Sequence, residues 1–388
     1  MKGEKILLCA SLAVFTISNS ACAYYNVINL GTLGGNYYSG ACSVNNNGRI
    51  VGNADRDDSG VSYACFFDSA GDANNNIDLG TLSGVYSSAC SINDKGQIVG
   101  RSNISSGFFD ERACLFDPTG GGANKDLGTL GGNTSRALSI NKDGWIVGSA
   151  DNGSGYWRAC LFDSTGDANK NIDLGTLGSS LSKAYSINDL GQIVGYAEGY
   201  AANPTHGRAC LFDPKGNQLN IDLGTLGGDN SEAMSINNYG LIVGSADRGG
   251  LGGRHACLFD LSGDANNIDL GSLGDEDDLN YSIAYSINDS NQIVGYVEES
   301  PENWRACLFD PTGNGNNIDL NTLIDPSSGW ILQVAYDINN DGWIVGQGAY
   351  NGQCRAFLLV IPEPGTIVLL AFGGLAVLSR NKNEMKKK

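Results

Sequence analysis

The chain reads as an all-β protein, a seven-bladed β-propeller built from repeats of about 48 residues. Three observations predict this. A Leu-Gly-Thr-Leu landmark, strict or slightly altered, begins at Leu30, Leu79, Leu127, Leu174, Leu223, Leu270 and Leu320, at steps of 49, 48, 47, 49, 47 and 50 residues. Each unit holds four short strand-like segments separated by turn residues, with no sustained helical period. The two ends of the repeating region are half-units: the first landmark lacks the three strands that precede every later copy, and the last unit lacks its fourth strand. Pairing the halves closes a ring and leaves no unfinished sheet edge. An open seven-unit solenoid is the alternative architecture.

Residues 1–23 have the layout of a secretory signal peptide. Lys2 and Lys5 precede an apolar run from Ile6 to Ile17 that is too short to span a bilayer, and Ala21-Cys22-Ala23 supplies small residues for cleavage between Ala23 and Tyr24. The repeat region occupies residues 24–360. Its first strand is Ala-x-Ser-Ile-Asn, the second x-Ile-Val-Gly, the third Arg-Ala-Cys-Leu-Phe-Asp, and the fourth Ile-Asp-Leu-Gly-Thr-Leu. Asn-x-x-Gly joins the first two, a tight hairpin that needs one residue at positive φ. Asn291 takes the place of that glycine in "INDSNQIVG", and asparagine is the next residue to tolerate left-handed geometry. The Ile-Val pair is apolar on both faces of its strand and so requires cover from two sides, which a sheet stacked between two similar sheets provides. Residues 361–388 open with Pro362-Glu363-Pro364, continue into an apolar stretch expected to be helical over 366–378, and end in a basic tail.

Two resemblances attach to these motifs. The succession Leu-Gly-x-Leu-Gly-Gly, Ile-Asn, Gly-x-Ile-Val-Gly and a closing Ala-Cys or Ala-Phe resembles the HAF repeat of bacterial extracellular proteins across nearly all of Asn26 to Leu359. Here His-Ala-Phe is mostly Arg-Ala-Cys, with His255-Ala256-Cys257 and Arg355-Ala356-Phe357 as intermediates. The order Pro-Glu-Pro, apolar helix, basic tail is similar to the PEP-CTERM sorting signal. That likeness implies an exosortase-type processing enzyme as partner, transient membrane anchoring through the C-terminal helix, and delivery to the cell surface or extracellular matrix of a bacterium. The HAF likeness implies a repeat scaffold and no catalytic residues.

Composition narrows the function. Net charge is −18, and setting aside the charged termini leaves 17 basic and 40 acidic side chains, a balance that repels nucleic acid. Eleven cysteines suggest disulfides, but Cys65, Cys114, Cys160, Cys210, Cys257 and Cys307 occupy one repeat position on successive blades, too far apart to bridge. They are expected to be small buried packing residues, and so are Cys42 and Cys90 at a second repeat position. No Cys-x-x-Cys pair is present, so no metal site is expected. His206 and His255 lack a catalytic signature. The series Arg112, Arg158, Arg208, Arg305 and Arg355, with the aspartates that end the third strand and open the fourth, is either a ring of charge in the channel or a repeated set of ion pairs and turn caps; repetition in register favours the second. "DINNDG" from Asp337 starts like a calcium loop but lacks its twelfth-position glutamate, which is Gly348. The acidic loops such as "DSAGDANNNID" are the one place where Ca²⁺ is a conceivable cofactor; solvated turns explain them as well.

These readings converge on an exported, non-catalytic scaffold or adhesion propeller of the cell surface or exopolysaccharide matrix, with no catalytic, cofactor or metal residues. A carbohydrate-binding or carbohydrate-active propeller is the alternative. Recognition is expected in loops that break the repeat, Gly274 to Ser282 and Ile324 to Gln333, and the aromatics Tyr37, Tyr38, Tyr86 and Trp330 are candidates for stacking on sugars or packing between blades.

Overall fold

In the computed structural model, which describes residues 24–360 apart from 58–59, 106–109, 200–205, 251, 262–265, 274–280 and 301–302, the orphan segment that opens the repeat region pairs with the end of the repeats. Val27–Asn29 lies antiparallel to Gln353–Val360, with Val27, Ile28 and Asn29 opposite Leu359, Leu358 and Phe357. It completes a sheet whose other strands are Trp330–Ile338 and Trp343–Tyr350. The remaining strands form six more four-stranded antiparallel sheets in chain order, so the protein is a seven-bladed β-propeller. Blade 1 shows the pattern: Ser39–Val44 innermost, then Ile50–Asp55, Ser62–Phe67 and the two-residue outer strand Ile77–Asp78. Blades 2 to 6 follow, and blade 7 is the one built from both ends. Residues 1–23, with Ala23 of the expected cleavage site, and the tail with Pro362, Glu363 and Pro364 lie outside the described residues.

The core lies between blades. Ile98 packs with Val51 of the preceding blade, and Ile50 packs with Val345 of blade 7, so each Ile-Val pair serves two interfaces. Leu30, Leu79, Leu127, Leu174, Leu223, Leu270 and Leu320, which open the landmark, are all fully buried. Leu30 joins Val345 and Leu358 in one apolar cluster, which locks the N-terminal strand in place by packing as well as by its ladder. The segment Ile324 to Gln333 departs from the repeat for the same purpose. Ile324 is buried and bridges Tyr25, and Trp330 is core, packed on Tyr350 and Phe357.

Polar side chains stitch blade to blade. The motif asparagine Asn76 donates from Nδ2 to Leu30 O and Thr32 O of the blade before it, and Asn124, Asn171, Asn220, Asn267 and Asn317 repeat the contact. Ser87 Oγ accepts from Ala64 N and donates to Gly80 O, linking two blades through one hydroxyl. The hairpin glycines Gly48, Gly96, Gly144, Gly191, Gly240 and Gly342 have φ between 71° and 87°, and Asn291 adopts 63° at the same place.

One blade departs from the pattern inside the channel. Where six blades have serine, blade 7 has Asp337, whose carboxylate accepts from Val44 N at 2.9 Å and from Ser286 Oγ at 2.7 Å. Burial raises this carboxyl above the usual range, against the pull of those hydrogen bonds and of the Ile338 N–H and Ser43 hydroxyl. Folding therefore favours the protonated acid, so this group destabilises increasingly as pH rises from the ordinary carboxylate value, about 4, through its raised folded value.

Two stability measurements follow. Leu30→Ala should cost about 2–5 kcal/mol, as much as Leu127→Ala in an unbroken blade, whereas an open chain would leave Leu30 exposed and the substitution near neutral. Asp337→Ser, which restores the sibling residue, should raise unfolding stability more at pH 7.5 than at pH 4 and flatten its decline above pH 4. Denaturant titrations at several pH values check both.

Candidate functional site

The innermost strand of every blade carries a β-bulge. In blade 1 the register runs Ala41 opposite Gly52, then Ser43 opposite Val51, leaving Cys42 as the extra residue. The same slip recurs in the other six blades and singles out Cys90, Leu138, Tyr185, Met234, Tyr285 and Tyr336. The glycine of Ile-Val-Gly makes the bulge possible. A Cβ on Gly52 would sit 2.0 Å from Gly40 O, and the six equivalent glycines would meet a carbonyl oxygen at 1.9–2.0 Å. A bulge bends the strand and re-aims side chains. Here the bulge residue and the next residue both reach axial space, at different depths.

One end of the axis is a mouth of about 210 Å³, lined by Ser43, Ser91, Ser235, Ser286 and Asp337 and by Asn45, Asn93, Asn141, Asn188, Asn237, Asn288 and Asn339. Each of these asparagines donates from Nδ2 to the backbone oxygen of the next one, at 2.9–3.2 Å, and Asn339 closes the circle on Asn45. Their amide groups are occupied, which suits this end to structure.

The opposite end opens into a funnel of about 630 Å³. Its floor is made by bulge residues, among them Cys42, Cys90, Leu138, Tyr185 and Tyr336, and its upper wall by Tyr38, Tyr86, Arg101, Arg136, Trp157 and Lys183. Arg101 lies over the Tyr86 ring at 5.5 Å and donates to its hydroxyl at 3.0 Å; Arg136 lies over the Trp157 ring at 5.2 Å. Both guanidinium groups pair with the Glu111 carboxylate, Arg101 at 3.5 Å and Arg136 in closer contact. Across the axis, Arg254 is neutralised by Asp247 at 2.8 Å and Glu232 at 3.5 Å. Next to it runs an aromatic strip, Trp304 to Tyr296 to Tyr285 to Tyr336, with neighbouring ring centroids 5.5–6.0 Å apart. The funnel can thus offer aromatic faces and forked cationic donors, a set suited to holding a polar ligand.

Several expectations change here. Cys42 and Cys90 are not strand-packing residues like the other repeated cysteines; they face the funnel. Burial, with the neighbouring Cys90, pushes the Cys42 thiol up to about 12, so it stays protonated and weakly nucleophilic. Cys65, Cys114, Cys160, Cys210, Cys257 and Cys307 are buried as expected, and all nine cysteines among the described residues are free. Tyr38 and Tyr86 belong to the funnel, Trp330 to the core, and Tyr37 is exposed. Of the repeat-breaking loops, residues 274–280 lie outside the described region, and Ile324 to Gln333 serves ring closure.

The charged series sits away from the axis. Asp68, Asp117, Asp163, Asp213 and Asp310 accept N–H groups two residues ahead, and Asp78, Asp126, Asp173, Asp222 and Asp269 cap the following glycine in the same way. Arg112 pairs with Asp126 at 3.7 Å. In the acidic loops, Asp72 and Asp167 cap the short 3₁₀ turns Ala73–Asn75 and Ala168–Lys170. Nδ1 of the buried His255 lies 2.8 Å from Oδ1 of the partly exposed Asp269, and His206 Nδ1 is 3.7 Å from Asp229. Among the described residues no three His, Cys, Asp or Glu side chains converge to hold a metal ion.

Fold and site together define a seven-bladed propeller with a ligand-sized axial funnel. A family model described as "Protein of unknown function (DUF3466)" matches residues 133–267, which span blades 3 and 4 and three strands of blade 5. No curated protein matches the chain.

The thiol chemistry is directly measurable. Iodoacetamide at pH 8 should alkylate Cys42 far more slowly in the folded protein than after unfolding in denaturant, and mass spectrometry of the labelled peptides reads the difference; equal rates would mean that the funnel floor is open and polar.

Proposed function

We propose that this protein is a non-catalytic adhesion module of the bacterial exterior that binds glycan in its axial funnel. The observation that carries the reading is the variability of the bulge position. Ala-x-Ser-Ile-Asn repeats around the ring, yet x is Cys, Cys, Leu, Tyr, Met, Tyr and Tyr. Packing alone would let one residue type serve seven equivalent places; a unique, asymmetric funnel needs different ones. The aromatic content supports a sugar ligand, because pyranose faces stack on tyrosine and tryptophan while their hydroxyls reach polar side chains. The described residues that line the funnel include three cations, which suit the polar groups of such a ligand.

Export comes first in this proposal. The leader is removed after Ala23, the protein is held by the 366–378 segment, and an exosortase-type enzyme processes the tail at Pro362-Glu363-Pro364. A rigid ring released at the surface or into the exopolysaccharide matrix then displays its funnel as the contact point.

Isothermal titration with extracellular polysaccharide and its oligosaccharide fragments tests the reading. Saturable binding without release of reducing ends is expected, weakened at least tenfold by Tyr185→Ala with Tyr336→Ala. Turnover would make the protein an enzyme, and absence of binding would leave a purely structural scaffold. Edman sequencing of exported protein should start at Tyr24.

A further inference from the structure

The charges in the funnel are unevenly placed, and this assigns a ligand class. We propose that the wall formed by blades 2 to 4 binds the carboxylate of an acidic saccharide, a uronate-bearing oligosaccharide. The inference rests on the glycan-binding reading above.

In a chain of net charge −18, three cations, Arg101, Arg136 and Lys183, line one side of the funnel. Glu111 is shared by the two arginines, so one carboxylate answers two guanidinium groups. Lys183 is half-buried and has no ion-pair partner among the described residues. The wall therefore keeps two positive charges uncompensated. Arg254 makes the contrast: on the other side of the funnel, one arginine is matched by two carboxylates, Asp247 and Glu232. A protein with an excess of acidic side chains could neutralise Lys183 with a single substitution. An unneutralised cation inside a partly desolvated funnel is costly unless an anion arrives.

The geometry favours a carboxylate on a sugar ring. The guanidinium groups are held against Tyr86 and Trp157 and on Glu111, so their orientation is set before a ligand enters, and the Lys183 ammonium with the outer Nη1 of Arg136 is left to meet a carboxylate. Tyr185, at the bulge of the same blade as Lys183, and Tyr336 offer aromatic surface below the cations. A ligand with an anionic edge and an apolar face fits that layering, and about 630 Å³ accommodates more than one pyranose ring.

The test compares each acid with its methyl ester. Trimers of galacturonate, glucuronate and mannuronate, and the fully methyl-esterified forms, are titrated into the mature protein at 20 and 300 mM salt. At least one acid should bind ten-fold or more tighter than its ester, and high salt should erode that preference. Lys183→Glu should weaken binding of the acid at least ten-fold more than binding of the ester; Lys183→Met, with a circular-dichroism melt, guards against a folding defect and should lose about ten-fold for the acid. Equal binding of acid and ester overturns the carboxylate assignment and leaves glycan binding standing. Binding of none of the six overturns both.

Discussion

The closed circle of asparagine hydrogen bonds is the constraint on which the molecule depends. Each of the seven side chains does two jobs. In blade 1, Asn45 Oδ1 accepts the N–H groups of Asn47 and Arg49 and so shapes its own hairpin, while Nδ2 donates to Asn93 O in the next blade. The groups are nearly inaccessible, Asn45 at 4% exposure, so leaving one unpaired would carry a desolvation cost. The last donor, Asn339, finds its acceptor only if blade 7 lies beside blade 1. Ring closure is thus a condition for satisfying buried polar groups, in addition to burying the Ile-Val faces.

That condition explains why both ends of the repeat region are bound into one sheet. The Val27–Asn29 strand is short, and three ladder pairs alone would hold it weakly. Leu30 in the apolar cluster, Tyr25 against Leu323 and Ile324, and Ser39 Oγ accepting from Ala356 N add ties at several depths. A ring tied this way is stiff, and stiffness suits an axial site, because the funnel wall is contributed by several blades whose separations must not drift.

The scaffold and the site use the same strand for opposite ends. Serine and asparagine of the innermost strand are repeated because every blade must make the same contacts with its neighbour. The bulge residue just before the serine has no such obligation, so it is free to differ. The Ile-Val-Gly glycine connects the two roles, since its missing Cβ admits the carbonyl of the bulged strand. Seven copies of one structural solution thereby carry seven independent choices at the funnel floor.

Most of the fold was legible in the linear chain. The landmark spacing counted the blades, the two-faced Ile-Val strand called for stacked sheets, and the orphan Asn26 to Leu33 segment with the unfinished last unit announced ring closure. The hairpin turn was legible down to Asn291, because only a few residue types tolerate positive φ. The site was less so. A bulge leaves no mark in a period-two pattern, so the x of Ala-x-Ser-Ile-Asn looked like an alternating strand position, and Cys42 and Cys90 looked like core. Trp330 and Tyr86 are both aromatic residues near strand starts, yet one is core and the other lines the funnel. Local sequence determines which residues pair within a blade, because those contacts lie within one repeat. Which side chains from blades 2, 3 and 4 come together along the funnel wall is decided only when the ring has closed, because their distance in space bears no relation to the 48 or so residues that separate them in the chain.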